Sequence, residues 1–252
     1  MTGSGTGTVG SPPPPGEEGR VFLCWGQASQ VAPGEEWLTP AERGLLAVLK
    51  VEKRAADWRL GRWVAKAALA AALGEPALAR SDVEVLPSAG GGPSPSLLVP
   101  REAPALSLSL SHAAGMGMAV VGVGAGRLGC DVEAIVPRSD DFVSDYFSDR
   151  EEEWIRAHPE RVALRANLVW SAKESALKAL GTGLRVDTRS VEVGVEPADG
   201  PAEAMAGREW APLRVVHRNG AVFAGVWRQA AGFVWTVVAD QGFRLEAMPL
   251  PD

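Results

Sequence analysis

The sequence predicts an α+β fold, in which helices and antiparallel strands are segregated along the chain. Element signals run strand–helix–helix–strands and then strand–helices–strands. Residues 213–240 read as two successive hairpins, the first turning at Asn219-Gly220. Helices followed by neighbouring strands argue against a doubly wound parallel sheet, whose strands alternate with crossover helices.

Each element has a local cause. Residues 1–19 are rich in Gly, Ser and Pro with almost nothing to bury, and predict a disordered tail ending in an extended proline run. "VFLCW" (21–25) predicts the first strand, from its β-branched and aromatic residues. "TPAERGLLAVL" opens a helix, with Thr39 as N-cap, Pro40 in the first position and Glu42 completing a capping box. Apolar residues at helical spacing predict a second helix from Lys53 to Leu73. "PSAGGGPSPS" (87–96) predicts a flexible loop. "ALSLSLSH" (105–112) alternates Leu with Ser and predicts a half-buried strand. "GMGMAVVGVG" predicts a central strand and "RLGCDVEAIV" another. Residues 139–180 read as helical, with a second capping box at Ser148 and Glu151. Nothing in the sequence announces a residue-level repeat.

Composition bounds the function. A chain of 252 residues, 46% hydrophobic and 22% charged, suits a globular protein that buries roughly 70–75% of its unfolded surface. Net charge is −6, so no overall field draws nucleic acid or an anionic membrane. Cys24 and Cys130 form no CxxC pair and read as reduced thiols; His112, His158 and His217 are too scattered for a zinc site. The first residues lack a signal peptide, and "VAKAALAAAL" (64–73) is too short to span a bilayer, so a cytoplasmic protein is expected.

Two short segments carry chemistry. Asp131 and Glu133 are two apart on a predicted strand, so both carboxylates project from one face. Such a pair is either surface decoration or a cation site. Trp170, Glu174 and Lys178 are spaced i, i+4, i+8 along one helix, stacking an aromatic, an anion and a cation. Alone, that stripe reads equally as a wet-face ion pair. Together the segments offer three carboxylates to one hard divalent ion, with Lys178 beside them for a phosphate oxygen. Only five residues of the chain are lysine, and two of them, Lys173 and Lys178, stand on this helix.

"GCDVE" followed by "WSAKESALKALGTGL" resembles the signature pair of the surfactin-type 4′-phosphopantetheinyl transferases. "KRAADWRLGRWVAK", "SLSH" and "FSDREEEW" are similar to further segments of that family, in order, between about residues 21 and 240. The resemblance implies two similar α+β subdomains in a pseudo-two-fold arrangement, here 20–125 and 126–252, acting as a monomer. It implies transfer of phosphopantetheine from coenzyme A to a serine of an acyl or peptidyl carrier protein, releasing adenosine 3′,5′-bisphosphate. By the same resemblance Asp131, Glu133 and Glu174 would hold Mg²⁺. Glu174 would also be the base, and Lys178 would neutralise the leaving phosphate. Ser111, His112, Arg43 and Lys53 would contact the coenzyme, and Trp170 and Lys173 complete the helix motif. Lys173 is as readily a solvated or carrier-facing charge, and Trp58 and Trp63 as readily pack between subdomains as touch the adenine. Glu151, Glu152 and Glu153 read as a capped, solvated helix face. Arg150, Arg156, Arg161 and Arg165 are candidate cations for docking a carrier. Two departures stand out: "GGGP" (90–93) lacks the family's loop lysine, and Thr182 stands where some members have lysine. The alternatives are a non-catalytic carrier-binding homologue and a Mg²⁺-dependent phosphohydrolase.

Overall fold

Thr39 caps the first helix as its sequence predicts. Its hydroxyl accepts the Glu42 N–H at 3.2 Å, and the Glu42 carboxylate accepts the Thr39 N–H at 2.9 Å. The computed structural model describes residues 18–88, 91–98, 104–195 and 210–250, so most of the expected tail at 1–19 lies outside it. After β1 (Gly19–Gln27) come α1 (Pro40–Ala47) and α2 (Glu52–Ala72). Next is the hairpin β2 (Val83–Pro87) and β3 (Pro93–Leu97). Within the flexible loop expected at 87–96, residues 93–96 are corrected to a strand, and residues 89 and 90 lie outside the described residues. Proline is tolerated in β3 because a two-stranded sheet consists only of edges. Strands β4 (Leu106–Ala113), β5 (Met116–Val123) and β6 (Leu128–Ala134) follow.

The helical stretch resolves into α3 (Asp140–Tyr146), α4 (Asp149–Arg156) and α5 (Val162–Ala179), and Ser148 and Glu151 form the second capping box. The chain ends with β7 (Val191–Val195), β8 (Ala211–His217), β9 (Val222–Ala230), β10 (Phe233–Ala239) and β11 (Phe243–Pro249). Strands β8, β9 and β10 are the two expected hairpins. Strand β11 was not foreseen.

The first sheet has the order β11-β1-β5-β4 and the second β6-β10-β9-β8-β7. Strand β5 is central, as its apolar run predicts, and β11 lies parallel to β1, the one parallel pair among the described strands. The expected boundary at 125/126 falls between β5 and β6, and β11 crosses back over it. Val21, Leu23, Met118 and Val120 of the first sheet face Cys130, Val132, Trp235 and Val237 of the second across a shared apolar core. Helix α2 covers the outer face of the first sheet with Leu60, Val64 and Leu69, and α5 covers the second with Leu164, Leu168 and Leu177. Four layers result, and their order places edge strand β4 beside edge strand β6.

Strand β4 is not half-exposed as its alternation suggested. Ser109 and Ser111 are buried because the serine face meets β6, where Ser109 Oγ accepts the Cys130 N–H at 3.1 Å.

A buried ion pair stands at an equivalent place in each half. Lys66 Nζ lies 2.5 Å from Glu42 Oε2 and donates to the Trp37 and Arg80 carbonyls, while Glu42 Oε1 accepts the Val85 N–H. Lys173 Nζ lies 2.8 Å from Glu151 Oε2 and donates to the Thr188 and Val191 carbonyls, while Glu151 Oε1 accepts the Val193 N–H. Each glutamate is the capping-box residue of a short helix, each lysine stands on the long helix, and each N–H belongs to a strand. With the lysines as register points, Trp63-Val64-Ala65-Lys66 overlies Trp170-Ser171-Ala172-Lys173, a repeat that the sequence alone did not disclose. Lys173 is thus neither solvated nor carrier-facing, and Glu151 does not belong to a solvated helix face; both are buried.

Removing one partner of such a pair leaves the other charge uncompensated, at a cost of about 3–5 kcal/mol. Lys173→Met is therefore expected to lower stability by about that amount in urea unfolding. A loss within the error of the measurement would show that Glu151 finds water or another cation.

Candidate active site

From Leu164 to Ala179 every residue of α5 is buried except Glu174 and Lys178, one turn apart on the same face. The rest of the helix is fastened in place. Ser171 and Ser175 share the Thr236 hydroxyl of β10 at 2.8 and 2.7 Å, and Lys173 is locked to Glu151. At Gly129 of β6 an added Cβ would overlap the Ser175 carbonyl oxygen, so glycine is what lets the helix approach this closely. The two half-exposed side chains consequently face β6.

On that strand Asp131 and Glu133 project toward the helix; Asp131 and Glu174 meet on Lys178, and Glu133 stands near enough for its charge to act on both acids. Lys178 Nζ donates to Asp131 Oδ1 at 2.6 Å, to Ser111 Oγ at 3.1 Å and to the Cys130 carbonyl at 3.2 Å, and lies 3.6 Å from Glu174 Oε2. Ser111 Oγ donates to Asp131 Oδ1 at 2.6 Å. Glu133 accepts the Trp170 indole N–H on one oxygen and the Arg138 guanidinium on the other, both at 3.0 Å. Trp170 is buried against Phe142 and Tyr146.

Electrostatics follow from this crowding. Burial, then the charge of Asp131 and that of Glu133, push the Glu174 carboxyl up to about 7 against the pull of Lys178. Burial and Asp131 raise Glu133, while Arg138 and Trp170 oppose them. Burial works against the charge of Lys178, but Asp131 and Glu174 outweigh it and hold the ammonium above the usual lysine range.

The donor set fits a divalent ion that is completed by substrate. Asp131 Oδ2 is buried with no hydrogen-bond partner, and Glu174 meets only Lys178 among the described residues. Among the described residues no group of three or more His, Cys, Asp and Glu side chains stands close enough to hold a metal ion by itself. Magnesium needs none, because it commonly takes one or two carboxylates and fills its octahedron with waters and phosphate oxygens.

Beside the acids, on the α2 side, lies a cavity of about 320 Å³ whose walls include Lys53, Arg54, Arg62, His112, Trp58 and Asp57. Arg62 is buried, stacks 4.3 Å from the Trp58 ring and leaves its Nε without a partner; burial lowers it to about 10, and Glu42 partly offsets that. Burial also lowers His112, whose Nδ1 is 4.0 Å from Asp57; Asp57 partly offsets this, and Lys178 and Lys53 add to it. Lys53 extends into solvent and pairs with Asp57 at 2.8 Å. Ser111 turns instead toward the acids. Arg43 is not among the cavity walls and donates to the Glu35 and Leu38 carbonyls. Trp58 lines the cavity, whereas Trp63 packs edge-on against Trp37.

The acids and the lysine stand in the half of the chain that one comparison reaches. Residues 127–227 match the family model of the 4′-phosphopantetheinyl transferase superfamily. No curated protein matches the chain. The superfamily match spans β6 through most of β9 and so includes Asp131, Glu133, Glu174 and Lys178. It supports a transferase that moves phosphopantetheine.

Of the arginines considered for docking a carrier, Arg165 is buried and donates to the Trp154 carbonyl, and Arg156 is paired with Asp140 and Glu152. Arg161 is engaged with Glu160. Sequence reasoning missed Arg138 and Asn167. Arg62 was legible only as one of several cations on a basic helix.

Glu174 binds its proton more tightly in the folded protein than at its ordinary value of 4.5. Between 4.5 and about 7 folding therefore takes up a proton, and stability falls as pH rises. Glu174→Gln is expected to flatten that fall when urea unfolding is compared at about pH 5 and about pH 8. Equal losses in variant and wild type would refute the crowded placement of the carboxyl.

Proposed function

We propose that the chain is a Mg²⁺-dependent 4′-phosphopantetheinyl transferase of the surfactin type. It takes coenzyme A and modifies a serine of an acyl or peptidyl carrier protein, with holo-acyl-carrier-protein synthase activity. The observation that carries the reading is the convergence of Asp131 and Glu174 on Lys178, with Glu133 close enough for its charge to act on both acids, beside a cation-lined cavity. The repeat of Trp63–Lys66 on Trp170–Lys173 and of the two buried ion pairs supports a pseudo-two-fold arrangement of 20–125 and 126–252. In this proposal the chain acts as a monomer in the cytoplasm.

The chemistry needs positioning and charge neutralisation more than covalent participation. In this reading the cavity walls Lys53, Arg54, Arg62 and His112 hold the bisphosphate end of coenzyme A, with Trp58 against the base. Asp131, Glu133 and Glu174 would hold the magnesium ion, which neutralises the pyrophosphate when bound. Glu174 takes the proton of the carrier serine directly or through one water. The serine oxygen bonds to the phosphorus that carries pantetheine. The bond from that phosphorus to the bridging pyrophosphate oxygen breaks, and the electron pair leaves with adenosine 3′,5′-bisphosphate. Lys178, held ionised by Asp131 and Glu174, faces the charge that develops there. The missing loop lysine and the threonine at 182 leave these α2 cations as the phosphate partners.

Intact mass measurement after incubation with coenzyme A, Mg²⁺ and an apo carrier should show one added phosphopantetheine. Glu174→Gln should abolish it without loss of fold. Arg62→Leu should raise the KM for coenzyme A on the order of 10–100-fold, the loss of one charge-assisted contact. No mass gain across fatty-acid, polyketide and peptide carriers, or full activity in Glu174→Gln, would overturn the reading.

A further inference from the structure

Glu133 is gripped from two directions, and one of the grips belongs to no signature in the sequence. Arg138, in the connection after β6, donates from Nη2 to Glu133 Oε2 at 3.0 Å and from Nε to Asn167 Oδ1 at 2.8 Å. Its guanidinium lies 4.7 Å over the Phe142 ring, and Phe142 packs at 4.9 Å on Trp170, whose indole N–H holds the other oxygen of Glu133. Asn167 is fully buried on α5, and its amide donates to the Val136 and Ala163 carbonyls, both at 2.7 Å. The amide therefore ties the segment carrying Arg138 to the helix carrying Glu174.

We propose that Arg138 and Asn167 form a positioning pair that fixes the Glu133 carboxylate relative to Asp131 and Glu174 for binding a divalent cation. The inference rests on the reading of Glu133 as a site carboxylate. Each Glu133 oxygen accepts one hydrogen bond, so each keeps a lone pair for an ion or its water. Glutamate has free torsions that would otherwise let the carboxylate turn away from its acidic neighbours. The planar fork of arginine reaches Glu133 and Asn167 together, which the single ammonium of a lysine does not reproduce. Ligand-orienting partners of this kind commonly carry 10–100-fold of metal affinity.

The test measures Mn²⁺ binding to the full chain by electron paramagnetic resonance, with and without coenzyme A, in the wild type, Arg138→Met and Arg138→Lys. Mg²⁺ dependence of transfer is measured in parallel. Arg138→Met should weaken Mn²⁺ on the order of 10–100-fold and raise the KM for Mg²⁺ more than it lowers kcat. Arg138→Lys should recover part of the affinity, and it serves as the deciding variant if Arg138→Met does not fold. Wild-type affinity in either folded variant would overturn the proposal while leaving the transferase reading intact. Mn²⁺ binding that obeys these expectations in a protein that transfers nothing would support the positioning pair and sink the transferase. A wild type that binds no Mn²⁺ would overturn the pair.

Discussion

Two lysine ammonium groups, shut away from water, hold this molecule together, and the rest of its architecture is arranged to satisfy them. Lys66 and Lys173 are each fully buried, and each faces one glutamate and two backbone carbonyls, so the three donors of each ammonium are spent. A charge in that position is tolerable only when the geometry is complete. That requirement makes the capping helix, the long helix and the following strand of each half interdependent. The glutamate that ends the search for a counter-charge is also the residue that closes the capping box, and it accepts a strand N–H besides. One side chain thereby fixes three elements. Lys173 precedes Glu174 by one residue, so the lock on α5 sits directly beneath the site.

Rigidity matters there because the site is electrostatically unfavourable on its own. Three carboxylates are crowded together, Asp131 and Glu174 on Lys178 and Glu133 on Arg138. Like charges this close disfavour full ionisation, and the upward displacement of Glu174 and Glu133 expresses it. The aromatic floor of Trp170 and Phe142 limits the water that would otherwise screen them. A flexible scaffold would relieve such repulsion by spreading the acids apart. Here the hydroxyl contacts to Thr236, the close approach at Gly129 and the buried lysine prevent the helix from moving off. The stored repulsion becomes affinity for added positive charge.

Much of this was legible in the sequence, and what was not has physical reasons. The caps at Thr39 and Ser148, the long helix over 53–73, the central strand and the hairpin at Asn219-Gly220 are local effects written in adjacent residues. Asp131, Glu133, Glu174 and Lys178 were found because fixed spacings on a strand and a helix put them on single faces. The β2–β3 hairpin was hidden because Pro and Gly dominate a short edge pair that has few apolar residues. Strand β11 was hidden because its partner β1 lies more than 200 residues away in the chain. Lys173 and Glu151 were misplaced because charged residues are almost never fully buried unless paired, and the pair spans 22 residues and a change of element. The serine face of β4 was taken for a solvent face for the same kind of reason: alternation reveals two faces, but not that both are covered.

The repeat around the buried lysines explains why the halves differ in chemistry while sharing an architecture. One and five residues after Lys173 stand Glu174 and Lys178; one and five residues after Lys66 stand Ala67 and Ala71. The first helix therefore carries the same lock without the acid and base of the second. Its charged groups lie instead in its first half, where Lys53, Arg54 and Arg62 border the cavity. Helix α5 has the converse arrangement, buried along nearly its whole length, with Glu174 and Lys178 the two side chains between Leu164 and Ala179 that reach the surface. Because β4 and β6 meet at the edges of their sheets, the cation-lined end of one half and the acidic end of the other open side by side, through adjacent Ser111 and His112. Had both halves kept both charge sets, anions and cations would have neutralised one another within each lobe. Separating them gives one surface suited to phosphates and an adjoining acidic one that attracts positive charge, as transfer of a phosphorylated group from one substrate to another requires.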